Sequence, residues 1–289
     1  MKMRVLITGA SGLLGSKLIE IAAGTGHDVI SGYTKNRPKN SERLRLELQD
    51  PDEVRRKVLE SKPDVIIHAA AMTDVDKCEF ERDRAFNINV IGTEAIKDAS
   101  KGCGAFLIYI STDYVFDGVQ GRYREDDPTN PLNYYGYTKL IGEKGCDCVA
   151  RAGVIYGSAP ARGKVNFGLW LIEKLGSGEE VSIVTDQYTT PVLNTNLAEM
   201  IIEAAERRLS GFYHMAGSTR ISRYDFACDI AREFGFDTSL IKESRMKEMN
   251  WKARRPADSS LDVTKAAQIL ETKPLPLKEA LKILRKEIG

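Results

Sequence analysis

Arg4-Val-Leu-Ile-Thr-Gly-Ala-Ser-Gly-Leu-Leu-Gly15 decides the fold. Arg4 to Thr8 reads as a buried strand, and Ser16 to Ala23 has helical periodicity. Between them Gly9, Gly12 and Gly15 stand in a G-x-x-G-x-x-G spacing. Such a loop needs a tight turn, close backbone approach to a pyrophosphate, and close packing of helix on strand. The helix N-terminus then faces the phosphate charge. Ser11, Leu13 and Leu14 lie inside the loop and join the three glycines as cofactor-binding candidates. The competing reading is a glycine-rich turn with no ligand.

Working outward, His27 to Ser31 reads as a second strand and Leu44 to Leu48 as a third. Asp50-Pro-Asp-Glu opens a helix, with Asp50 as N-cap, Pro51 in the first position and acids in the first turn. Asp64 to His68 is a fourth strand running into Ala69, Ala70 and Ala71, and Ala105 to Ile110 a fifth. The spacing predicts one long helix over Arg82 to Lys101 and another over Tyr135 to Lys144. Strands alternating with helices imply an α/β fold, a doubly wound parallel sheet of Rossmann type covered on both faces. Beyond residue 155 the pattern loosens: 156–187 is expected to be irregular with a helix at Phe167 to Leu175. Helices follow at Asn194 to Arg207 and Pro276 to Lys286, with a short strand at Gly211 to Met215. The expected dinucleotide-binding domain is 1–155 plus about 190–217. A smaller C-terminal substrate lobe would comprise about 156–189 and 218–289.

The 289 residues carry 42 basic against 41 acidic side chains, a balance that argues against a nucleic-acid or membrane-surface role. No apolar run reaches the roughly 18 residues of a membrane span, and the N-terminus does not read as a signal peptide. A cytoplasmic location is therefore expected. The five cysteines are odd in number and scattered, and there are three histidines, so reduced thiols and no metal site are expected.

The end of the second strand, Tyr33-Thr-Lys35-Asn-Arg37, lacks the acid that would hold a ribose 2′-hydroxyl. An acid there would repel a 2′-phosphate, whereas Lys35 and Arg37 attract one, so NADPH is expected over NADH. The alternative for Lys35 and Arg37 is a solvated loop. Further along, Tyr135 and Lys139 are four residues apart, one turn on a single helix face. A phenol titrates near about 10, and a neighbouring ammonium favours its ionised form. With Thr112 upstream, the pair fits ketone reduction: Thr112 and Tyr135 donate to the developing alkoxide while a nicotinamide carries the hydride.

With these pieces placed, the chain resembles the extended short-chain dehydrogenases/reductases, and within them most closely the dTDP-4-dehydrorhamnose reductases. The matching stretches are Gly9 to Gly15, Ala69 to Lys77, Ser111-Thr-Asp-Tyr-Val-Phe-Asp-Gly118, Pro131 to Lys139, Asp186 to Pro191 and Arg255 to Ser260, in the family's order over nearly the whole chain. The resemblance implies reduction of dTDP-4-dehydrorhamnose to dTDP-L-rhamnose. Thr112 would bond the substrate carbonyl, Tyr135 would be the general acid, and Lys139 would hold the nicotinamide ribose and lower the Tyr pKa. Asn89 would support the cofactor side. Glu47 and Leu48 would lie by the adenine, and Ala69, Ala70 and Ala71 along the cofactor. Thr73, Val75, Asp113 and Val154 would line the sugar site, and Arg255 would meet the nucleotide phosphates. A homodimer is compatible with this family.

Three positions depart from the family. Val154 stands where the bacterial reductases often carry Trp, Lys17 where metal-bridged dimers carry an acid, and Thr189 where glycine is usual. Losing an aromatic platform costs of order 1 kcal/mol and changes which sugar fits. Val154 also suits a regulatory branch of these relatives, the NADP-binding beta subunit of methionine adenosyltransferase. An epimerase or dehydratase of nucleotide sugars is the further rival. Asp113 followed by Tyr114 lacks a dehydratase's acid pair, and the missing acid at Tyr33 argues against a tightly NAD-bound epimerase.

Overall fold

In the computed structural model, residues 2–37, 42–158 and 165–289 are described. Strands β1 (Arg4–Thr8), β2 (Asp28–Tyr33), β3 (Glu42–Arg45), β4 (Val65–His68), β5 (Phe106–Thr112), β6 (Cys148–Ala152) and β7 (Gly211–His214) form one sheet in the order β7-β6-β5-β4-β1-β2-β3. Every pairing is parallel. The order reverses at β1, so a crevice opens beyond the strand C-termini between the β1 and β4 loops.

The strands are apolar on both faces because both are covered. Val5, Ile7, Val65, Ile67, Phe106 and Ile108 face helices α1 (Leu13–Gly24) and, much later in the chain, Asn194–Glu206. The alternate residues Leu6, Ile66 and Leu107 face α2 (Pro51–Ser61) and α3 (Gly92–Cys103). Burial of both faces is what turns a period-two pattern into continuous apolar runs. Asp50 caps α2 by accepting from the Glu53 amide at 3.0 Å, with Pro51 in the first position. Tyr135 and Lys139 stand on α4 (Tyr134–Glu143), capped by Asn133, whose Oδ1 accepts from the Gly136 amide at 2.9 Å.

A second core, with Tyr156, Leu171, Ile183, Phe226, Ile230 and Leu284 inside, is built from α5 (Phe167–Gly176), α7 (Arg223–Phe234) and α8 (Leu277–Ile288), where α6 is the Asn194–Glu206 helix already described. Residues 159–164 of the expected irregular segment lie outside the described residues. Among those described, no helix is long and apolar enough to cross a membrane.

Three features differ from the sequence reading. Within 156–187, expected to be irregular apart from one helix, Val181–Val184 forms a strand paired in parallel with Ile241–Ser244. The third strand is Glu42–Arg45, earlier than Leu44 to Leu48. Leu46 and Leu48 are still buried, but the backbone turns after Leu46, whose amide reaches Tyr33 O at 2.8 Å. The helix expected over Arg82 to Lys101 is interrupted by a π turn at Asn87–Ile91. The cause is Asn89: its Oδ1 accepts from the Met72 amide at 2.8 Å, and its Nδ2 donates to Met72 O and Thr138 Oγ1. The widened turn aims that side chain between the β4 loop and α4, and such turns concentrate at functional sites.

Beneath the sheet's C-terminal edge, Arg151 and Glu143 form a buried ion pair, each side chain 4% exposed. Arg151 grips both carboxylate oxygens, Ser111 Oγ donates to Oε1, and Phe116 and Phe212 flank the guanidinium. Removing one partner leaves an unpaired buried charge. Arg151→Met should therefore lower unfolding free energy by about 3–5 kcal/mol in urea titrations, and adding Glu143→Leu should recover much of that loss.

Candidate active site

The crevice is a cleft of about 740 Å³ whose lining comes from the glycine loop, the β2, β4, β5 and β6 ends, α4 and α7. Gly9 sits at φ +69°, in the left-handed region. A Cβ on Gly15 would come within 2.1 Å of Gly9 O, and one on Gly9 within 2.9 Å of the Ala70 backbone. The loop, α1 and the β4 loop are therefore in backbone contact, with the α1 N-terminus open to the cleft. That cradle fits a dinucleotide pyrophosphate.

The structure brings Gly9, Ser11, Gly12, Leu13, Leu14, Gly15, Tyr33, Lys35, Ala69, Ala70 and Ala71 to this cleft, together with Thr73, Val75, Thr112, Asp113, Tyr135, Lys139 and Val154. Glu47 and Leu48 instead line an adjoining hollow of about 310 Å³, which shares Lys35, Ala70 and Ala71 with the main cleft. Two expected residues lie elsewhere. Arg37 is exposed and borders neither cavity, and Arg255 lies outside the lining, paired with Asp76 at 3.1 Å and set against Trp251. The residues missed by sequence reasoning include Arg84, which borders both cavities, and Tyr114, Phe167 and Arg223. Tyr114 lies inside the Ser111–Gly118 string and could have been found there. Nothing local marks a lone arginine opening a distant helix.

The groups on the floor are strongly desolvated. Burial raises Tyr135 well above an ordinary phenol, and its interaction with Thr112 pulls it back down. Lys139 is lowered to about 7 by burial, against which the Glu143 charge acts only partly. Its Nζ lies 4.0 Å over the Tyr109 ring. The sequence reading assigned the tuning of Tyr135 to Lys139; the hydrogen bond with Thr112 is a further influence that lowers it. Thr112 Oγ1 donates to Asp113 Oδ1 at 3.1 Å and accepts from the Tyr114 amide, while Ser259 Oγ donates to Asp113 Oδ2.

Behind the loops lies a buried histidine. Thr93 spends its hydroxyl hydrogen on Asn89 O at 2.8 Å, so His68 Nε2 must donate to Thr93 Oγ1 and Nδ1 must accept from Thr8 Oγ1. Thr8 Oγ1 in turn accepts from the Ala70 amide. Burial, with the Lys139 and Lys97 charges, lowers His68 to about 3, so it remains a neutral strut.

Lys17 pairs with Glu20 at 3.0 Å and Glu287 at 3.7 Å. Among the described residues no group of three or more His, Cys, Asp or Glu is arranged to hold a metal. Burial pushes the Cys146 and Cys148 thiols up to about 12.

A family profile described as RmlD substrate binding domain matches residues 3–288. The chain is 33% identical to the methionine adenosyltransferase 2 subunit beta of Xenopus tropicalis over 278 residues, covering 92% of this chain and 82% of that one. It is 38% identical, at a TM-score of 0.86, to a structure described as a hypothetical dTDP-4-dehydrorhamnose reductase from Sulfolobus tokodaii, covering 94% of this chain and 97% of the other. The Bacillus anthracis dTDP-4-dehydrorhamnose reductase in complex with NADP superposes at a TM-score of 0.90, with 31% identity over 99% of this chain and 100% of the other.

Two predictions follow from this geometry. Gly15→Ala should weaken NADP binding far more than Gly12→Ala, whose Cβ would meet Gly9 O only at 3.1 Å; titration calorimetry reads the difference. Burial raises Asp113 to about 6 from 3.8 against the Ser259 and Thr112 hydrogen bonds. Between about pH 4 and pH 6 the folded chain keeps a proton that the unfolded chain has lost, so this group's contribution to stability falls as pH rises through that window. Denaturant melts of Asp113→Asn should lack that component of the wild-type slope.

Proposed function

The chain belongs to the RmlD substrate-binding family, that of the dTDP-4-dehydrorhamnose reductases, and on that premise we propose that it is an NADPH-dependent reductase of a nucleotide-linked 4-keto-6-deoxysugar. The most specific substrate consistent with the resemblance is dTDP-4-dehydrorhamnose, giving dTDP-L-rhamnose. The observation that carries this reading is the convergence of Thr112, Tyr135 and Lys139 on one cleft floor beside the glycine cradle. The division of labour follows: β1 to β6 and their loops hold the cofactor, and the lobe with α5, α7 and α8 holds the sugar nucleotide.

The glycine loop and α1 N-terminus would hold the pyrophosphate, Lys35 the 2′-phosphate, and Glu47 and Leu48 the adenine side. NADPH, when bound, supplies the hydride. The remaining chemistry falls to this chain's side chains. Tyr135 presents its hydroxyl to the substrate carbonyl oxygen, and Thr112 joins it by turning its one hydroxyl hydrogen from Asp113 Oδ1 to that oxygen; both bonds strengthen as negative charge develops there. Tyr135 then transfers its phenolic proton to that oxygen. The elevated phenol is a reluctant acid in isolation, so Thr112 and the Lys139 charge must stabilise the phenolate as it forms. Thr112 and Lys139 are buried and Tyr135 is half-buried, so these interactions act at a dielectric below that of water.

A second reading is favoured by Val154 and by the likeness to the adenosyltransferase beta subunit: an NADP-binding regulatory chain without turnover. NADPH oxidation with dTDP-4-keto-6-deoxysugar separates the two. Wild-type turnover that falls about 10²–10⁴-fold in Tyr135→Phe establishes the reductase. Tight NADPH binding with no wild-type turnover on any nucleotide-linked 4-ketosugar establishes the regulatory reading instead.

A further inference from the structure

Arg223 is the first residue of α7, where its amide donates to Gln187 O at 2.9 Å. The residue as a whole is only half-buried, but its guanidinium end runs inward, lies 4.5 Å over the Phe167 ring and borders the cleft. Its Nη1 is buried and has no hydrogen-bond partner. Among the described residues Arg223 forms no ion pair. The nearby acids are already engaged: Asp225 with the Ser222 hydroxyl, Asp113 with Thr112 and Ser259. Arg255, whose charge also acts on Tyr114, likewise has a buried Nη1 without a hydrogen-bond partner, but its Nη2 is paired with Asp76 at 3.1 Å. The two guanidinium charges are close enough to oppose each other.

A buried guanidinium with an unmatched N–H is costly, and a second one in its field adds repulsion. The native arrangement persists only if something compensates it in the working state. Water cannot supply charge. The cofactor's phosphates are placed elsewhere, by the glycine loop and Lys35, whereas Arg223 stands with Asp113, Tyr114 and Phe167 on the substrate side. The planar fork of an arginine matches the paired oxygens of a phosphate or a carboxylate.

We propose that Arg223 is an anion-binding residue of the substrate subsite, its Nη1 taking an oxyanion of the nucleotide sugar, either a phosphate oxygen or a sugar carboxylate. This rests on the sugar-nucleotide reading above: a phosphate oxygen fits its 4-keto-6-deoxysugar, whereas a carboxylate, which occupies C6, would replace the 6-deoxysugar by a uronate. Arg255, outside the cleft lining and paired with Asp76, adds its charge to the field at Arg223. A cation here also sets specificity, since an apolar group placed against Nη1 would leave it unmatched.

The test is equilibrium binding to the full chain, wild type beside Arg223→Met, with NADPH affinity and thermal melting as controls for folding. The probes are dTDP, UDP-glucose and UDP-glucuronate. A loss of about 10- to 100-fold in dTDP affinity, with NADPH affinity intact, assigns the phosphate. An unchanged dTDP affinity with the same loss for UDP-glucuronate but not for UDP-glucose assigns the carboxylate. Equal affinities in both proteins for all three probes, or no binding of any probe to wild type, overturn the proposal. A crystal structure of the wild type with dTDP or UDP-glucuronate tests it without any variant. An oxyanion within about 3.2 Å of Nη1 supports it, and a bound probe that leaves Nη1 bare overturns it. Neither measurement needs turnover. Binding through Arg223 without ketosugar reduction would fell the reductase reading alone, and turnover indifferent to Arg223 would fell this proposal alone.

Discussion

Three backbone segments touch where Gly9, Gly15 and Ala70 meet, and that contact has no room for a methyl group. Everything at the cleft takes its position from it. The turn at Gly9 is held against α1 by the absence of a side chain on Gly15, and against the β4 loop by the Thr8 hydroxyl and His68. His68 passes the constraint to Thr93, and Asn89 on the same helical segment grips Met72 and Thr138. Thr138 is the neighbour of Lys139. A continuous set of hydrogen bonds and close packings thus links the loop that would cradle phosphates to the helix that carries the reactive phenol, and the π turn at Asn87–Ile91 is the local distortion that completes it.

The polar groups of the cleft share one electrostatic condition: burial opposes their charged forms. Tyr135 and Asp113 are raised, Lys139 and Arg223 lowered, with desolvation the largest cause in each. Glu143, the carboxylate one turn beyond Lys139, is spent on Arg151 and Ser111. Lys139 is left with a tempered counter-charge and a ring face. A lysine fully paired to Glu143 would have its charge compensated before any phenolate formed; one whose counter-charge is shared with Arg151 can respond to the charge that develops on Tyr135.

The parts of this arrangement that were legible in the sequence are those written in local pattern. The glycine spacing, the apolar runs of β1, β4 and β5, and the Asp50–Pro51 cap each depend on residues a few positions apart. Tyr135 and Lys139 share a face by helical spacing alone. The π turn was illegible because its cause, Asn89 reaching Met72 and Thr138, joins three segments far apart in the chain. The third strand was misplaced because Leu46 and Leu48 are buried without being paired, and burial is what the apolar pattern reports. Lys35 and Arg37 look equivalent in sequence, yet only Lys35 borders the cleft, since a residue's reach into a site depends on where the loop turns. Arg223 carries no local signal: only folding brings α7 to Thr112 and Phe167.

The distribution of unmatched charge separates the two sides of the cleft. On the cofactor side the groups awaiting an anion are backbone amides at the α1 N-terminus, a fixed dipole that costs little to leave solvated in an open cleft. On the substrate side it is the guanidinium of Arg223, with a buried, unpartnered nitrogen. A backbone cradle accepts any pyrophosphate of the right shape. A desolvated arginine penalises every ligand that fails to bring an anion to one point, because the penalty for the empty N–H is incurred whether or not the rest of the ligand fits. Where Val154 has removed an aromatic surface that would select by shape, the charge at Arg223 is the feature left to select by chemistry.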